Sequence, residues 1–218
     1  MSSSTPDSRS AALSAGLQEL QLPASEAQRG QLLAYVELLH KWNQAYNLSA
    51  VRDPQQMIRQ HLLDCLAVIA PLDRHLQGRD ARILDVGSGA GLPGVIWALM
   101  RPRWTLCCVD AVAKKTSFVR QVAAELALRN LQAEHARVEQ LQGPPFDAVV
   151  SRAFASLADF TRLTRAQLAP HGCWLAMKGK LPEDEIASLG TDVAVFHVER
   201  LRVPGLDAQR CLVWMRPN

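Results

Sequence analysis

Residues 82–94, RILDVGSGAGLPG, limit the possible folds more than any other part of the chain. Ile83 and Leu84 read as a short apolar strand with an acid, Asp85, at its end. Gly87, Gly89 and Gly91 alternate after it, and an apolar run over 95–100 then reads as a helix. Glycine lets the backbone turn through positive φ and lets a ligand come close. A strand, a glycine turn and a helix N-terminus in that order form a binding platform in α/β folds. The dinucleotide pattern G-x-G-x-x-G, begun at Gly87, needs Gly or Ala at position 92; Leu92 stands there, so that pattern fails. A glycine-rich turn without a ligand is the plainer alternative.

The 218 residues leave room for one α/β domain and an appendage, without a comfortable second domain. A net charge of +3 means that a polyanion would have to be met by a local patch. Lys occurs only at 41, 114, 115, 178 and 180, and all other basic side chains are Arg. Arg suits bidentate phosphate contacts, although GC-rich coding would produce the same skew. Five cysteines without a C-x-x-C pair, in a chain with no hydrophobic secretion signal, read as reduced thiols in a cytoplasmic protein. The histidines show no metal-ligand spacing, so no metal is expected, and no apolar run reaches membrane-spanning length.

The Ser-rich residues 1–10 read as disordered. Ser25 and Gln28 form a capping box for an amphipathic helix that the apolar spacing carries to about Trp42. Trp42 and Tyr46 are either core or faces for stacking on bases, and burial is the commoner fate of large aromatics. Asp53-Pro54 caps the next helix, whose buried stripe runs through Met57, Ile58, His61, Leu62, Cys65, Leu66 and Ile69 and is expected to stop by Pro71. His61 and Asp64, one turn apart, are either a satisfied buried pair or a wall of a site. From position 82 on, strand and helix alternate, which predicts a parallel doubly wound sheet. Strands are expected at 105–109, 131–136, 146–150, 173–177, 193–198 and 211–215, with helices at 114–126, 157–168 and 183–189. The expected organisation is a disordered start and helical cap over 1–80, followed by the sheet domain over 81–218.

Ligands of open α/β sheets lie beyond the carboxyl ends of the strands. Asp85 ends the first strand here, Asp110 the second, Arg137 and Glu139 the third, Arg152 the fourth, and Lys178-Gly179 the fifth. An acid ending the second strand is placed to accept hydrogen bonds from a ribose diol. Any one of these groups could be ordinary loop solvation, but the row of them suggests a site. Lys114 and Lys115 stand at a helix N-terminus, where the dipole disfavours cations by about 0.3–1 kcal/mol. Either an anion such as an RNA phosphate comes to that place, or the helix end is simply solvated.

The spacing Asp85-x-Gly87-x-Gly89-x-Gly91 resembles the first motif of S-adenosylmethionine-dependent methyltransferases, which would put Asp85 near the ammonium of the cofactor. Further blocks narrow this: Lys41-Trp42-Asn43, Asn47-Leu48, His61-Leu62-Leu63-Asp64, Asp110 with Lys114-Lys115 and Phe118, Ala136-Arg137-Val138-Glu139, Ser151-Arg152-Ala153 and Lys178-Gly179. With Gly91-Leu92-Pro93-Gly94 they resemble the RsmG (GidB) family of bacterial methyltransferases over most of residues 32–180. The resemblance implies a Rossmann-like class I α/β fold: a mostly parallel seven-stranded sheet with helices on both faces and an N-terminal helical cap. It implies methyl transfer from S-adenosyl-L-methionine to N7 of one guanine of 16S rRNA, with the 30S ribosomal subunit as partner, a monomer, and no membrane. Carried over position by position, it puts Asp85, Gly87, Gly89 and Leu92 at the methionine end of the cofactor, Asp110 near the ribose and Val138 and Glu139 at the adenosine. Arg152 falls close to both cofactor and guanine, as an orienting catalytic residue, and Lys114, Lys115 and Lys178 face RNA. Cys65 stands where the family is expected to carry serine.

Other classes remain distinguishable. A non-catalytic RNA-binding or ribosome-assembly factor on this fold predicts a degraded glycine loop, whereas Gly87, Gly89, Gly91 and Asp110 are all present. A small-molecule methyltransferase would need no basic RNA-facing residues. No Asn-Pro-Pro-Tyr-like stretch follows the fourth strand, as amine methylation would require, and no Pro-Cys nucleophile for attack on cytosine C5 stands there.

Overall fold

The computed structural model describes residues 6–152, 154 and 156–218. Ala153, part of the block after the fourth strand, lies outside the described residues. Seven strands form one sheet: β1 Ala81–Val86, β2 Trp104–Asp110, β3 Leu131–His135, β4 Phe146–Ser151, β5 Leu168–Lys178, β6 Val193–Leu201 and β7 Arg210–Pro217. Their order across the sheet is β3-β2-β1-β4-β5-β7-β6, with β1 to β5 parallel and β7 antiparallel to both of its neighbours. The expected mostly parallel seven-stranded sheet is therefore present, and its order reverses between β1 and β4. A parallel sheet of this kind has to be covered on both faces.

Alternate residues along each strand feed two cores. Ile83, Leu106, Cys108, Ala148, Val150, Leu175 and Trp214 face the helices α1 Pro6–Glu19, α2 Glu26–Tyr46, α5 Ile69–Leu76, α6 Gly94–Met100 and α7 Ala113–Glu125. Between α2 and α5 runs a helical stretch made of α3 Pro54–Met57, a π-helix Ile58–Leu63 and α4 Asp64–Leu66. Leu84, Val86, Val109, Val149 and Trp174 face the other way, onto α8 Leu157–Thr164 and its Phe160. The short α9, Glu183–Ala187, lies beside α8.

Several expectations are corrected. Residues 1–5 of the Ser-rich start lie outside the described residues, but helix α1 begins at Pro6 and so takes in the second half of a stretch expected to be disordered. The side chains that hold it come later: Leu13 and Leu17 are buried, and Arg9 pairs with Glu37 of α2. The capping box is formed as expected, but α2 continues through Trp42 to Tyr46 and ends at Asn47 in the left-handed conformation. Trp42 packs edge-on against Phe118 at 5.4 Å, whereas Tyr46 is exposed, so the core reading holds for the first ring alone. Pro71 does not end a helix; it lies in the first turn of α5, where its missing N–H would have no partner in any case. The segment expected as helix to 168 ends at Thr164, followed by a 3₁₀ turn Arg165–Gln167, because β5 starts already at Leu168. Gly172 lets that strand press against β4, where an added Cβ would lie 2.9 Å from the Phe146 carbonyl.

Candidate active site

The chain turns sharply where β1 ends. Gly87 and Gly89 have φ of +66° and +58°, and a Cβ added at either position would meet nothing within 4 Å. The loop is thus an open cradle bounded by backbone. Asp85 lies beneath it, 1% exposed. Its Oδ2 accepts a hydrogen bond from the Gly94 amide at 2.8 Å, while Oδ1 is buried with no hydrogen-bond partner among the described residues. A buried acceptor without a donor costs about 1–3 kcal/mol. Burial pushes the Asp85 carboxyl up to about 7, against the downward pull of the Gly94 amide and of the Arg152 charge.

Asp110 ends β2 and ties the loop to α7. Its Oδ2 accepts from the Gly89 amide at 3.0 Å and faces the Lys115 ammonium at 3.5 Å; its Oδ1 accepts from the Val112 amide at 2.9 Å. Three of its roughly four acceptor positions are filled, which leaves one. This also explains the lysine at an unfavourable helix end: the anion that Lys115 meets is Asp110. Lys114 beside it is exposed. Past β3, Val138 and Glu139 sit on a 3₁₀ turn, Val138 buried and Glu139 exposed. Together with Gly87, Asp110, Arg137, Phe154 and others they line a cleft of about 220 Å³. Leu92 is buried in the core under the loop.

A second pocket of about 330 Å³ opens beyond β4 and β5, lined by His61, Asp64, Arg152, Lys178 and Arg210 among others. Arg152 Nη1 lies 3.4 Å from the Gln60 carbonyl, 3.5 Å from His61 Nδ1 and 3.5 Å from Asp64 Oδ2. His61 bridges to Ser49 Oγ through Nε2 at 2.7 Å. Burial, helped by the Arg152 charge, lowers His61 to about 4, so the ring is neutral near pH 7; with Nδ1 facing a guanidinium, its proton belongs on Nε2. Lys178 is held by both oxygens of Glu185, at 2.9 and 2.8 Å, so its charge is already answered within the chain. Tyr35 is fully buried and donates to the Ala90 carbonyl at 2.8 Å, supporting the glycine loop from α2.

Residues 28–213 match the family model described as rRNA small subunit methyltransferase G. The chain belongs to that family. A relative from Leptothrix cholodnii, named ribosomal RNA small subunit methyltransferase G, is 60% identical over 206 residues, covering 94% of each chain. One of the same name from an Acidovorax species is 58% identical over 214 residues, again covering 94% of each. Among solved structures, the Burkholderia thailandensis 1,6-didemethyltoxoflavin-N1-methyltransferase, with bound S-adenosylhomocysteine, aligns with TM-score 0.57 over 90% of this chain and 92% of that one at 16% identity. TrmN from Thermus thermophilus aligns with TM-score 0.55 over 70% of this chain and 49% of that one at 19% identity. These two likenesses are of fold, and they agree with the class I methyltransferase architecture described above.

On this family's fold, residues singled out from the sequence lie around two spaces. Asp85, Gly87, Gly89, Asp110, Val138 and Glu139 surround the loop and its cleft, while Arg152 and Lys178 line the second pocket. Lys114 and Lys115 stand at the start of α7. Sequence reasoning missed Arg210, Glu185 and Tyr35. Arg210 opens β7, and because β7 runs backwards its first residue reaches the rim where the parallel strands end. A search for polar residues after each strand overlooks it; expecting an antiparallel strand beside β5 would have found it. Cys65 is fully buried with its thiol pushed up by burial, and its carbonyl accepts from Trp97 Nε1 at 2.9 Å, a bond that does not depend on the side chain.

Proposed function

We propose that this protein transfers a methyl group from S-adenosylmethionine to N7 of one guanine of the small-subunit 16S rRNA. The observation that carries this reading is the orphaned, buried Asp85 Oδ1 beneath an open Gly87–Gly89 cradle, in a chain of this family. An ammonium donor answers that oxygen, and the open cradle admits the rest of the methionine end. The residues around the loop fit the cofactor: Asp85, Gly87 and Gly89 for its methionine part, with Leu92 packed in the core below them, Asp110 with its one open acceptor position for the ribose, and Val138 and Glu139 for the adenosine. The family name and a fold neighbour that holds S-adenosylhomocysteine support the same choice.

When bound, S-adenosylmethionine supplies an electrophilic methyl group carried on a sulfonium sulfur. Guanine N7 has a free lone pair and no proton, so the chain needs no general base. A neutral His61, engaged at both nitrogens, agrees with that. What remains for the protein is to exclude water, hold the reacting groups in line and stabilise charge. Arg152 cannot deprotonate, so its role is to donate hydrogen bonds and orient the incoming nucleotide. Lys114, exposed at the start of α7, is left to meet phosphate; Lys115 and Lys178 contribute through the acids they already hold.

The test is incubation with methyl-labelled S-adenosylmethionine and 30S subunits that lack the modification. Label in 16S rRNA is expected; cofactor binding without label in any rRNA would overturn the reading. Arg152→Ala should lower kcat about 100-fold, the scale of losing one positioned donor. Normal turnover with normal affinities would remove Arg152 from the mechanism.

A further inference from the structure

The pocket that holds Arg152 also contains a buried carboxylate that ties two arginines together. Asp64 sits in its wall, 3% exposed. A carboxylate so far out of water is tolerated only when paired. Its Oδ1 accepts from Arg210 Nε at 2.8 Å, and its Oδ2 faces Arg152 Nη1 at 3.5 Å. The two arginines come from different strands, Arg152 from just past β4 and Arg210 from the start of β7, with β5 between them. One carboxylate therefore fixes the spacing of two guanidinium groups along the same rim.

The π-helix Ile58–Leu63 completes the grip. Such wide turns are rare and gather at functional sites. This one brings the Gln60 carbonyl, the His61 ring and, one residue past its end, Asp64 onto the same nitrogen of Arg152. All three contacts run to Nη1, and no hydrogen bond to a described residue engages Nη2. The guanidinium is thus held by one edge, with donors left over on another. Lys178, on the far wall, is in turn fixed by Glu185.

We propose that Asp64 is a positioning residue for methyl transfer: it holds Arg152 and Arg210 side by side, so that the target nucleotide meets an Arg152 donor edge already aimed. This rests on the reading of the chain as an rRNA methyltransferase. Holding a flexible donor in place beforehand removes ordering entropy from the reaction step, so the effect belongs in turnover rather than in cofactor binding.

Asp64→Asn keeps size and one acceptor but removes the charge. In the full-length protein, methyl transfer to 30S subunits, the KM for subunits, S-adenosylhomocysteine affinity and the melting temperature are read together. The expected result is a kcat about 100-fold lower with S-adenosylhomocysteine affinity within about threefold of wild type. Arg210→Gln should lower kcat as well, and the double variant should be no worse than Asp64→Asn alone, because both act through one guanidinium. A kcat near wild type, additive losses in the double variant, or a loss of transfer matched by an equal loss of S-adenosylhomocysteine affinity would each overturn the proposal. If Asp64→Asn does not fold, Arg210→Gln decides: lowered kcat with retained S-adenosylhomocysteine affinity supports the role, and full activity overturns it. A wild type that binds S-adenosylhomocysteine but methylates no rRNA overturns the underlying reading as well, and is told apart because the role of Asp64 alone fails only in an active enzyme.

Discussion

Asp85 shows how far one buried side chain can set the chemistry of a site. Burial holds its carboxyl at about 7, well above the ordinary carboxylate value. Because the folded pKa is the higher one, the folded state keeps a proton that the unfolded chain gives up at lower pH. The stabilisation this provides is full below the unfolded value, about 4, and is lost as pH rises to about 7. Asp85→Asn escapes that loss, so the stability of the variant relative to wild type should increase between pH 4 and 7 in denaturant titrations; a constant difference would show that the group is not shifted. A cationic ligand needs the ionised form, so S-adenosylhomocysteine affinity should rise about tenfold from pH 6 to 8 and release a proton below pH 7. Calorimetry in buffers of different ionisation enthalpy reads this directly, and Asp85→Asn should flatten the profile. His61 runs the other way: with its folded pKa lowered to about 4, its stabilising contribution is present above about 6.5 and lost as pH falls toward 4.

Gly89 in the loop after β1 and Gly94 at the start of α6 separate space from strain. At Gly89 a methyl group meets no atom, so Gly89→Ala should cost only the left-handed backbone penalty, about 1–2 kcal/mol, while narrowing the cradle and abolishing cofactor binding. At Gly94 the same methyl would lie 2.4 Å from Cys108 Sγ and 3.0 Å from Asp85 Oδ2. Gly94→Ala should therefore destabilise by about 1–3 kcal/mol through overpacking and disturb Asp85 as well. Melting and calorimetric binding together tell the two apart; a Gly89→Ala variant that still binds S-adenosylhomocysteine like wild type would refute the open-cradle reading of that position. The loop was readable because strand, alternating glycines and an acid are all local signals, as was the row of polar residues after the parallel strands. Other features were not local. The π-helix has no spacing signature of its own, since the stripe from Met57 to Ile69 also fits an ordinary helix. Arg210 depends on the direction of β7, and the partners of Lys115 and Lys178 are acids whose distance the sequence does not contain.

For the molecule as a whole, one sheet face is deeper than the other because the N-terminal helices join its core. Leu13 of α1 is fully buried, and Gly16 lies so close to Leu63 of the π-helix that an added Cβ would be 2.4 Å from its Cδ2. The first helix thus supports the segment that carries His61 and Asp64. Leu13→Ala should cost about 2–5 kcal/mol in chemical denaturation, a cavity-sized loss just past the Ser-rich residues 1–10. A cost below about 0.5 kcal/mol, the range of a surface substitution, would detach α1 from the core. Among the described residues no helix is long and apolar enough to cross a membrane, and no three His, Cys, Asp or Glu side chains gather as a metal site. Under the proposed function, the glycine cradle and the Arg152 pocket together bring one guanine N7 to a methyl donor. The most direct test is to methylate unmodified 30S subunits with the purified protein, then cleave the 16S rRNA by borohydride and aniline, which cut at N7-methylguanosine. A single new cleavage site that depends on S-adenosylmethionine and weakens with Arg152→Ala is the predicted result; label on another atom or spread over many nucleotides would contradict it.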